Sequence, residues 1–267
     1  GVFAAGAEKP RDHRAHPDAQ GQLLRAPGGC PWDAEQTHQS IKKNLIEETY
    51  EVIEAINKDD KALMCEELGD LLMQVVFHAL MEQESGVFDF DDVADGVCKK
   101  LIERHPHVFG EVSVSGVDDV LTNWDAIKRK SKGQKTTTES MLSVPRELPA
   151  LMRATKLQKK AADVGFDWSD VSGALDKVDE EAAELRAAVA NQDKENIAEE
   201  LGDLLFSAVN VSRFVKVDAE EALTAASDKF LLRFTEVEHM AAERGIDMKT
   251  AGIETLDRLW DEAKLQK

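Results

Sequence analysis

Apolar residues recur along most of this chain at intervals of three and four, with charged residues between them, the pattern of amphipathic helices that bury one face. It predicts helices over about 35–57, 60–84, 90–104 and 117–130, and then over 148–163, 170–191, 194–214, 218–244 and 255–266. Strand-like alternation is confined to the short stretch 112–117. Residues 131–144 are rich in Lys, Gly, Thr and Ser and offer no apolar face, and Pro145 and Pro149 follow before the next helix, so a linker is expected there. The fold expected is all-α.

The two halves on either side of that linker repeat each other. Glu48, Glu51, Glu67 and Asp70 each recur 133 positions later, as Glu181, Glu184, Glu200 and Asp203. Residues 66–72 reappear letter for letter at 199–205, and Lys61 reappears as Lys194. Looser echoes flank these blocks: Gly29-Cys30-Pro31-Trp32 with Gly165-Phe166-Asp167-Trp168, Lys100 and Arg104 with Lys229 and Arg233, and Trp124-Asp125 with Trp260-Asp261. The chain therefore divides into a disordered N-terminal segment (1–20), a first helical domain (21–130), a linker (131–147) and a second helical domain (148–267). Each domain offers too few long helices to close a four-helix-bundle-type core alone, so self-association, or pairing between the two copies, is expected to complete it.

The phase of the repeated acids carries the chemistry. At about 100° per residue, Glu48 and Glu51 sit on one edge of the stripe made by Leu45, Val52, Ile53 and Ile56. Glu67 and Asp70 sit on the matching edge beside Met64, Leu68, Leu71, Leu72 and Val75. The turn between the two helices is short, so they run antiparallel and like edges meet. The second copy repeats this around residues 191–194. Four carboxylates converging beside an apolar seam repel one another and lose hydration, which calls for a cation. The donors are all hard oxygens, so Mg²⁺ is expected, with Mn²⁺ as a substitute. A lone Glu-x-x-Glu is ordinarily a solvated helix face; the duplication and the convergence across a turn set these apart.

Composition narrows the ligand. The formal net charge of −19 over 267 residues argues against nucleic-acid or anionic-membrane binding, which needs a positive face. It does not exclude a phosphorylated small molecule held through a metal. Cys30, Cys65 and Cys98 all lie in the first half without a Cys-x-x-Cys or Cys/His cluster, as expected for reduced thiols in a cytoplasm. Residues 1–20 contain no apolar run, so neither signal peptide nor membrane anchor is expected.

A carboxylate-held Mg²⁺ that keeps several waters is a usual partner of a polyphosphate, and it activates water for attack on phosphorus. Lys229 and Arg233, four apart on one helix, would offset phosphate charge, as would Lys100 and Arg104 in the first domain. With no Walker loop in the sequence, the chemistry expected is metal-assisted phosphoanhydride hydrolysis outside the P-loop class.

The paired Glu-x-x-Glu and Glu-x-x-Asp motifs, Gly-Cys-Pro-Trp-Asp at 29–33, His105-Pro106-His107-Val108-Phe109 and the Lys-x-x-x-Arg at 229–233 together resemble the MazG family of nucleoside triphosphate pyrophosphohydrolases, in its two-domain form. The resemblance spans nearly everything from residue 21 onward. It implies a homodimeric all-α enzyme that uses Mg²⁺ to convert nucleoside triphosphates into nucleoside monophosphate and pyrophosphate, clearing non-canonical or damaged nucleotides. It also implies metal ligation by Glu181, Glu184, Glu200 and Asp203, phosphate contacts from Lys229 and Arg233, and main reliance on the second domain. Glu48, Glu51, Glu67 and Asp70 preserve the full ligand set in the first domain. Lys194 is a candidate for the basic role near the second Glu-x-x-Asp, and Trp260 for stacking on a base; Lys100 and Arg104 are candidate substrate contacts in the first domain.

Several other readings compete. Trp32, Trp124 and Trp168 are expected to anchor structure, Gly69 and Gly202 to permit close helix contact, and His105 and His107 to shape a turn. Glu35/His38 and Glu236/His239 have the Glu-x-x-His spacing of di-iron carboxylate bundles, but they do not occupy corresponding places in the two copies. A hydrolase preferring an alarmone nucleotide and a non-enzymatic helical scaffold that binds Mg²⁺ or nucleotide remain as alternatives.

Overall fold

The computed structural model describes residues 17–131 and 133–265, and every regular element among them is an α-helix. The chain separates into two compact units, divided after Lys128. The N-terminal segment expected to be disordered lies mostly outside the described residues, but its last four residues belong to a helix, α1 (Pro17–Arg25).

In the first unit, α2 (Pro31–Glu35) follows, then α3 (Lys42–Asn57), α4 (Lys61–Glu84), α5 (Phe90–Arg104), α6 (Pro106–Phe109) and α7 (Val117–Ser131), within which the division falls. The α3–α4 hairpin is its largest helix–helix contact. Asp59 takes a left-handed conformation (φ 53°) to turn the chain. Asp60 then accepts hydrogen bonds from the Ala62 and Leu63 amides at 3.0 and 3.1 Å, satisfying donors that the first turn of α4 leaves open. Ile41, Phe77 and Met81 form the buried cluster under this hairpin.

α1 closes on α4 through Gly21, where a Cβ would come within 2.5 Å of a Leu80 methyl. The nearly buried Arg25 completes the join: it donates to both Glu84 carboxylate oxygens at 2.7 Å and to the Asp33 carbonyl at 2.6 Å. That anchorage is why residues 17–20 are helical instead of loose.

α3 begins at Lys42, not near 35 as periodicity suggested. Thr37 and Ser40 exchange side-chain-to-backbone hydrogen bonds, Thr37 N–H to Ser40 Oγ at 2.9 Å and Ser40 N–H to Thr37 Oγ1 at 3.2 Å, and this local turn outcompetes the helical ladder. Residues 112–116 form no strand; the Ser115 backbone N–H and hydroxyl instead donate to Asp119 at the start of α7.

The second unit holds α8 (Thr137–Leu142), α9 (Ala150–Ala162), α10 (Val171–Asn191), α11 (Lys194–Phe214), α12 (Ala219–Glu243) and α13 (Ile253–Leu265). α8 corrects the expectation of a featureless linker over 131–147. Thr136 and Glu139 form a reciprocal capping box, and buried Ser140 accepts a hydrogen bond from the Lys160 ammonium on α9. The α10–α11 hairpin turns on Gln192, left-handed (φ 58°) at the position matching Asp59, and Asp193 caps α11 as Asp60 caps α4. Gln158 on α9 donates to the Phe206 carbonyl at 2.8 Å. The buried core of Val237, Met240, Ala241, Leu259 and Ala263 joins α12 to α13. Trp168 has a structural role: a Cβ on Gly173 would overlap its indole ring.

The apolar stripes are only partly covered. In α3, Val52 and Ala55 are buried, but Ile53 and Ile56 are 43% and 56% exposed; in α4, Leu68 and Leu72 are exposed as well. A two-helix layer has one seam, and apolar side chains turned away from it need another layer.

Replacing Arg25 by Met is expected to destabilise the protein by about 2–3 kcal/mol, because charged hydrogen bonds to Glu84 and the Asp33 carbonyl are lost together. Arg25 holds the Glu84 carboxyl below its ordinary value of 4.5. That contribution is present above pH 4.5 and is lost as pH falls through the depressed value. The stability gap between parent and variant should therefore narrow on acidification, as read by urea unfolding; a gap that stays constant to pH ~3 would remove the ion pair from the account.

Candidate metal centre

In the first hairpin, carboxylate oxygens of Glu48 on α3 and of Glu67 and Asp70 on α4 all lie within 4.8 Å of one another. Glu51 is near enough to act on Glu48 and helps raise its pKa. In the second, oxygens of Glu181 and Glu184 on α10 and Glu200 on α11 lie within the same 4.8 Å, and the Asp203 charge acts on Glu200. Acids three apart share a helix face, and the short capped turns set both pairs at one level. Of the four acids expected to converge, three meet within 4.8 Å in each copy; Glu51 in the first and Asp203 in the second lie outside that group.

The clustering strains the charges. Desolvation, then the hydrogen bond and charge of Glu51 and the charges of Asp70 and Glu67, raises the Glu48 pKa. Desolvation followed by Glu51 and Asp70 raises Glu67, and desolvation followed by Glu184, Glu181 and Asp203 raises Glu200. Among the described residues, no ion pair offsets Glu48, Glu67 or Asp70. All donors are carboxylate oxygens, a set that fits Mg²⁺ or Mn²⁺ and lacks the nitrogen or sulfur that zinc favours.

Two contributors escaped sequence reasoning. Lys177, one turn before Glu181, donates to Glu181 at 2.5 Å and Glu180 at 2.9 Å, and those bonds raise its own pKa. In the first hairpin, Gln74 donates to Glu48 at 3.4 Å. The signal for Lys177 is the i, i+4 spacing to a Glu that is 4% exposed; its counterpart 133 positions earlier is Asn44.

No ion pair among the described residues ties a basic candidate to the clustered acids. Lys229 is exposed on α12, and the Arg233 guanidinium lies 6.0 Å from the Trp260 ring centre, with Phe230 packed 5.2 Å from the same indole. No ion pair among the described residues joins Lys229 or Arg233 to Glu181, Glu184, Glu200 or Asp203. Lys194 is exposed in the first turn of α11, and its counterpart Lys61 pairs with Asp59. Lys100 is exposed on α5; Arg104 is half-buried, its Nε without a partner. Gly69 and Gly202 permit no close helix contact, since a Cβ on either would meet open space. Of the Glu-x-x-His pairs, His38 turns to His78 and Glu82, at 2.7 and 2.8 Å, and Glu236 reaches His239 only at 4.0 Å. His105 accordingly shapes a turn, its Nδ1 2.7 Å from the Leu101 carbonyl.

Duplicated helical hairpins, each gathering acids into an oxygen-only cluster, define an all-α protein built to hold hard divalent cations. The family model for the MazG nucleotide pyrophosphohydrolase domain matches residues 36–109 and again 171–237, so it takes in both hairpins. Over 251 residues the chain is 47% identical to the nucleoside triphosphate pyrophosphohydrolase of Escherichia coli K12, covering 92% of this chain and 95% of that protein. It is 45% identical to the nucleoside triphosphate pyrophosphohydrolase/pyrophosphatase MazG of Thermotoga maritima, over 91% of this chain and 92% of the relative. It is also 51% identical to the uncharacterized protein YabN of Bacillus subtilis, where it spans 49% of the longer protein. The chain belongs to the MazG family.

Raised carboxyl pKa values have a measurable sign. Between the ordinary glutamate value of 4.5 and the raised ones, the folded metal-free protein binds more protons than the unfolded chain at Glu48, Glu67 and Glu200. Their contribution to stability therefore falls as pH rises through that window, and a bound divalent cation offsets it. Thermal midpoints in Mg²⁺ and in EDTA should diverge as pH climbs from about 4.5 to 8; parallel curves would remove the clusters as cation sites.

Proposed function

We propose that the chain is a Mg²⁺-dependent nucleoside triphosphate pyrophosphohydrolase, cleaving between the α and β phosphates to release pyrophosphate and a nucleoside monophosphate. The observation that carries this reading is the oxygen-only cluster on each helical hairpin, within 4.8 Å, in a chain of the MazG family. The names of the Escherichia coli and Thermotoga maritima relatives support the same substrate class.

Glu181, Glu184, Glu200 and Asp203 hold the metal in the second unit. Bound there, Mg²⁺ supplies a water of lowered pKa and offsets charge on the phosphates. Desolvation and the neighbouring carboxylates raise the pKa of Glu200, and a cation bound there would offset both. Lys177 keeps Glu181 in place through their hydrogen bond. Lys229 and Arg233 steady the triphosphate, Trp260 offers a ring for the base and Lys194 a further cation at the hairpin tip. Glu48, Glu51, Glu67 and Asp70 form the corresponding site in the first unit. The biological role is removal of non-canonical or damaged nucleotides in the cytoplasm, without nucleic-acid or membrane partners. No described helix is long and apolar enough to cross a membrane.

The protein works as a homodimer. Phe230, Leu231 and Leu232 on α12 are 58%, 63% and 74% exposed, and Ile53, Ile56, Leu68 and Leu72 leave the first hairpin about half uncovered. A second copy is the partner that buries such duplicated helical faces and brings them to bundle depth. Sedimentation equilibrium should give about twice the 29.5 kDa chain mass, with Leu231→Glu shifting the distribution toward monomer; a parent that stays at the chain mass defeats the dimer.

Pyrophosphate release from a panel of nucleoside triphosphates tests the activity itself. Asp203→Ala should lower turnover on the order of 100-fold or more, since even outer-shell partners of a metal cost about 10–100-fold. Unchanged turnover in that variant, with loss in Asp70→Ala, would move catalysis to the first unit.

A further inference from the structure

A cavity of about 250 Å³ opens beside the first acidic cluster, and Glu48 belongs to both. Trp32 from α2, Asn44 from α3, and Gln74 and Phe77 from α4 contribute to its wall. Gln74 is 5% exposed, yet its Oε1 has no hydrogen-bond partner. Its orientation is set at the other end, where Nε2 donates to Glu48; reversing the amide would point oxygen at oxygen. A buried acceptor without a partner beside a cavity is one that a ligand's donor can satisfy. Trp32, 60% exposed, is spare aromatic surface at the rim. The volume falls below the roughly 300–1,000 Å³ of sites for drug-sized ligands, a scale that suits one planar ring system with the rest of the molecule outside.

The acids repeat in the second hairpin but this wall does not. Asn44, Gln74 and Phe77 correspond there to Lys177, Ser207 and Asn210. The two units therefore present one kind of metal site with different neighbours.

We propose that the first unit is a second nucleotide site with its own base recognition. The triphosphate and its Mg²⁺ sit on Glu48, Glu51, Glu67 and Asp70. The base enters the cavity, stacks on Trp32 and donates a ring N–H or exocyclic amine hydrogen to Gln74 Oε1, with the Asn44 amide as a second contact. This rests on the reading of the duplicated clusters as Mg²⁺-triphosphate sites.

Calorimetry on the full chain, with the second cluster silenced by Glu200→Gln and Asp203→Asn, separates the two ideas. The probes are α,β-methylene ATP and inorganic tripolyphosphate, each with Mg²⁺. The nucleotide analogue should bind at least about tenfold more tightly than tripolyphosphate, the value of one net hydrogen bond to a buried group. Trp32→Ala should erode that preference and leave tripolyphosphate affinity unchanged; Gln74→Met also removes the bond to Glu48, so it should weaken the nucleotide analogue more than tripolyphosphate. Trp32 is exposed enough that its loss leaves the fold intact, so the test does not depend on the buried Gln74 variant. Equal affinities for the two probes, or a preference that survives both substitutions, overturns the base site. Binding of neither probe refutes the first cluster as a Mg²⁺-phosphate site, a result independent of pyrophosphate release by the second unit.

Discussion

Mutual repulsion among carboxylates on the edge of a helical hairpin is the constraint around which this chain is organised. Each cluster places at least three acids within 4.8 Å, and desolvation plus neighbouring charge raises the pKa of Glu48, Glu67 and Glu200. Such a group is unstable by itself and must be held by something else. Capped turns, the buried seam and, in the first unit, the Arg25 clasp between α1 and α4 provide that restraint. A rigid anionic cradle whose charge is unrelieved is what a hard divalent cation is drawn to.

The two copies relieve the charge differently. Lys177 brings an ammonium to the second cluster, whereas the first has only the Gln74 amide against Glu48. An ammonium offsets carboxylate charge directly, whereas an amide contributes only a hydrogen bond. Duplication has preserved the clustered acids and changed what stands beside them.

Much of the fold was legible because helix periodicity is local. The α4, α5, α10 and α11 boundaries follow from apolar spacing and from the acids Asp60, Asp89, Asp170 and Asp193 at their N-caps. Acid convergence was legible for the same reason, since turn length and phase decide it. What escaped depends on contacts between distant residues. α8 owes its place to a buried Ser140 engaging Lys160, and α1 to Gly21 and Arg25, none of which periodicity reveals. Gly69 and Gly202 were read as packing glycines from their mid-helix position, but they face open space, and only coordinates separate those cases. Lys177 and Gln74 were passed over because neither belongs to a repeated motif.

Asp59 and Gln192, the left-handed residues at the two hairpin tips, occupy matching places, and each is followed by an Asp that caps the next helix. One added residue at either tip would turn the second helix by about 100° relative to the first. Glu67 and Asp70, or Glu200 and Asp203, would then swing out of register with their partners. Helix content and every acid would survive such a change, and the cluster would still be lost. The tip of each hairpin is in effect a rotational latch, and a length change there would scatter the carboxylates without altering any one of them.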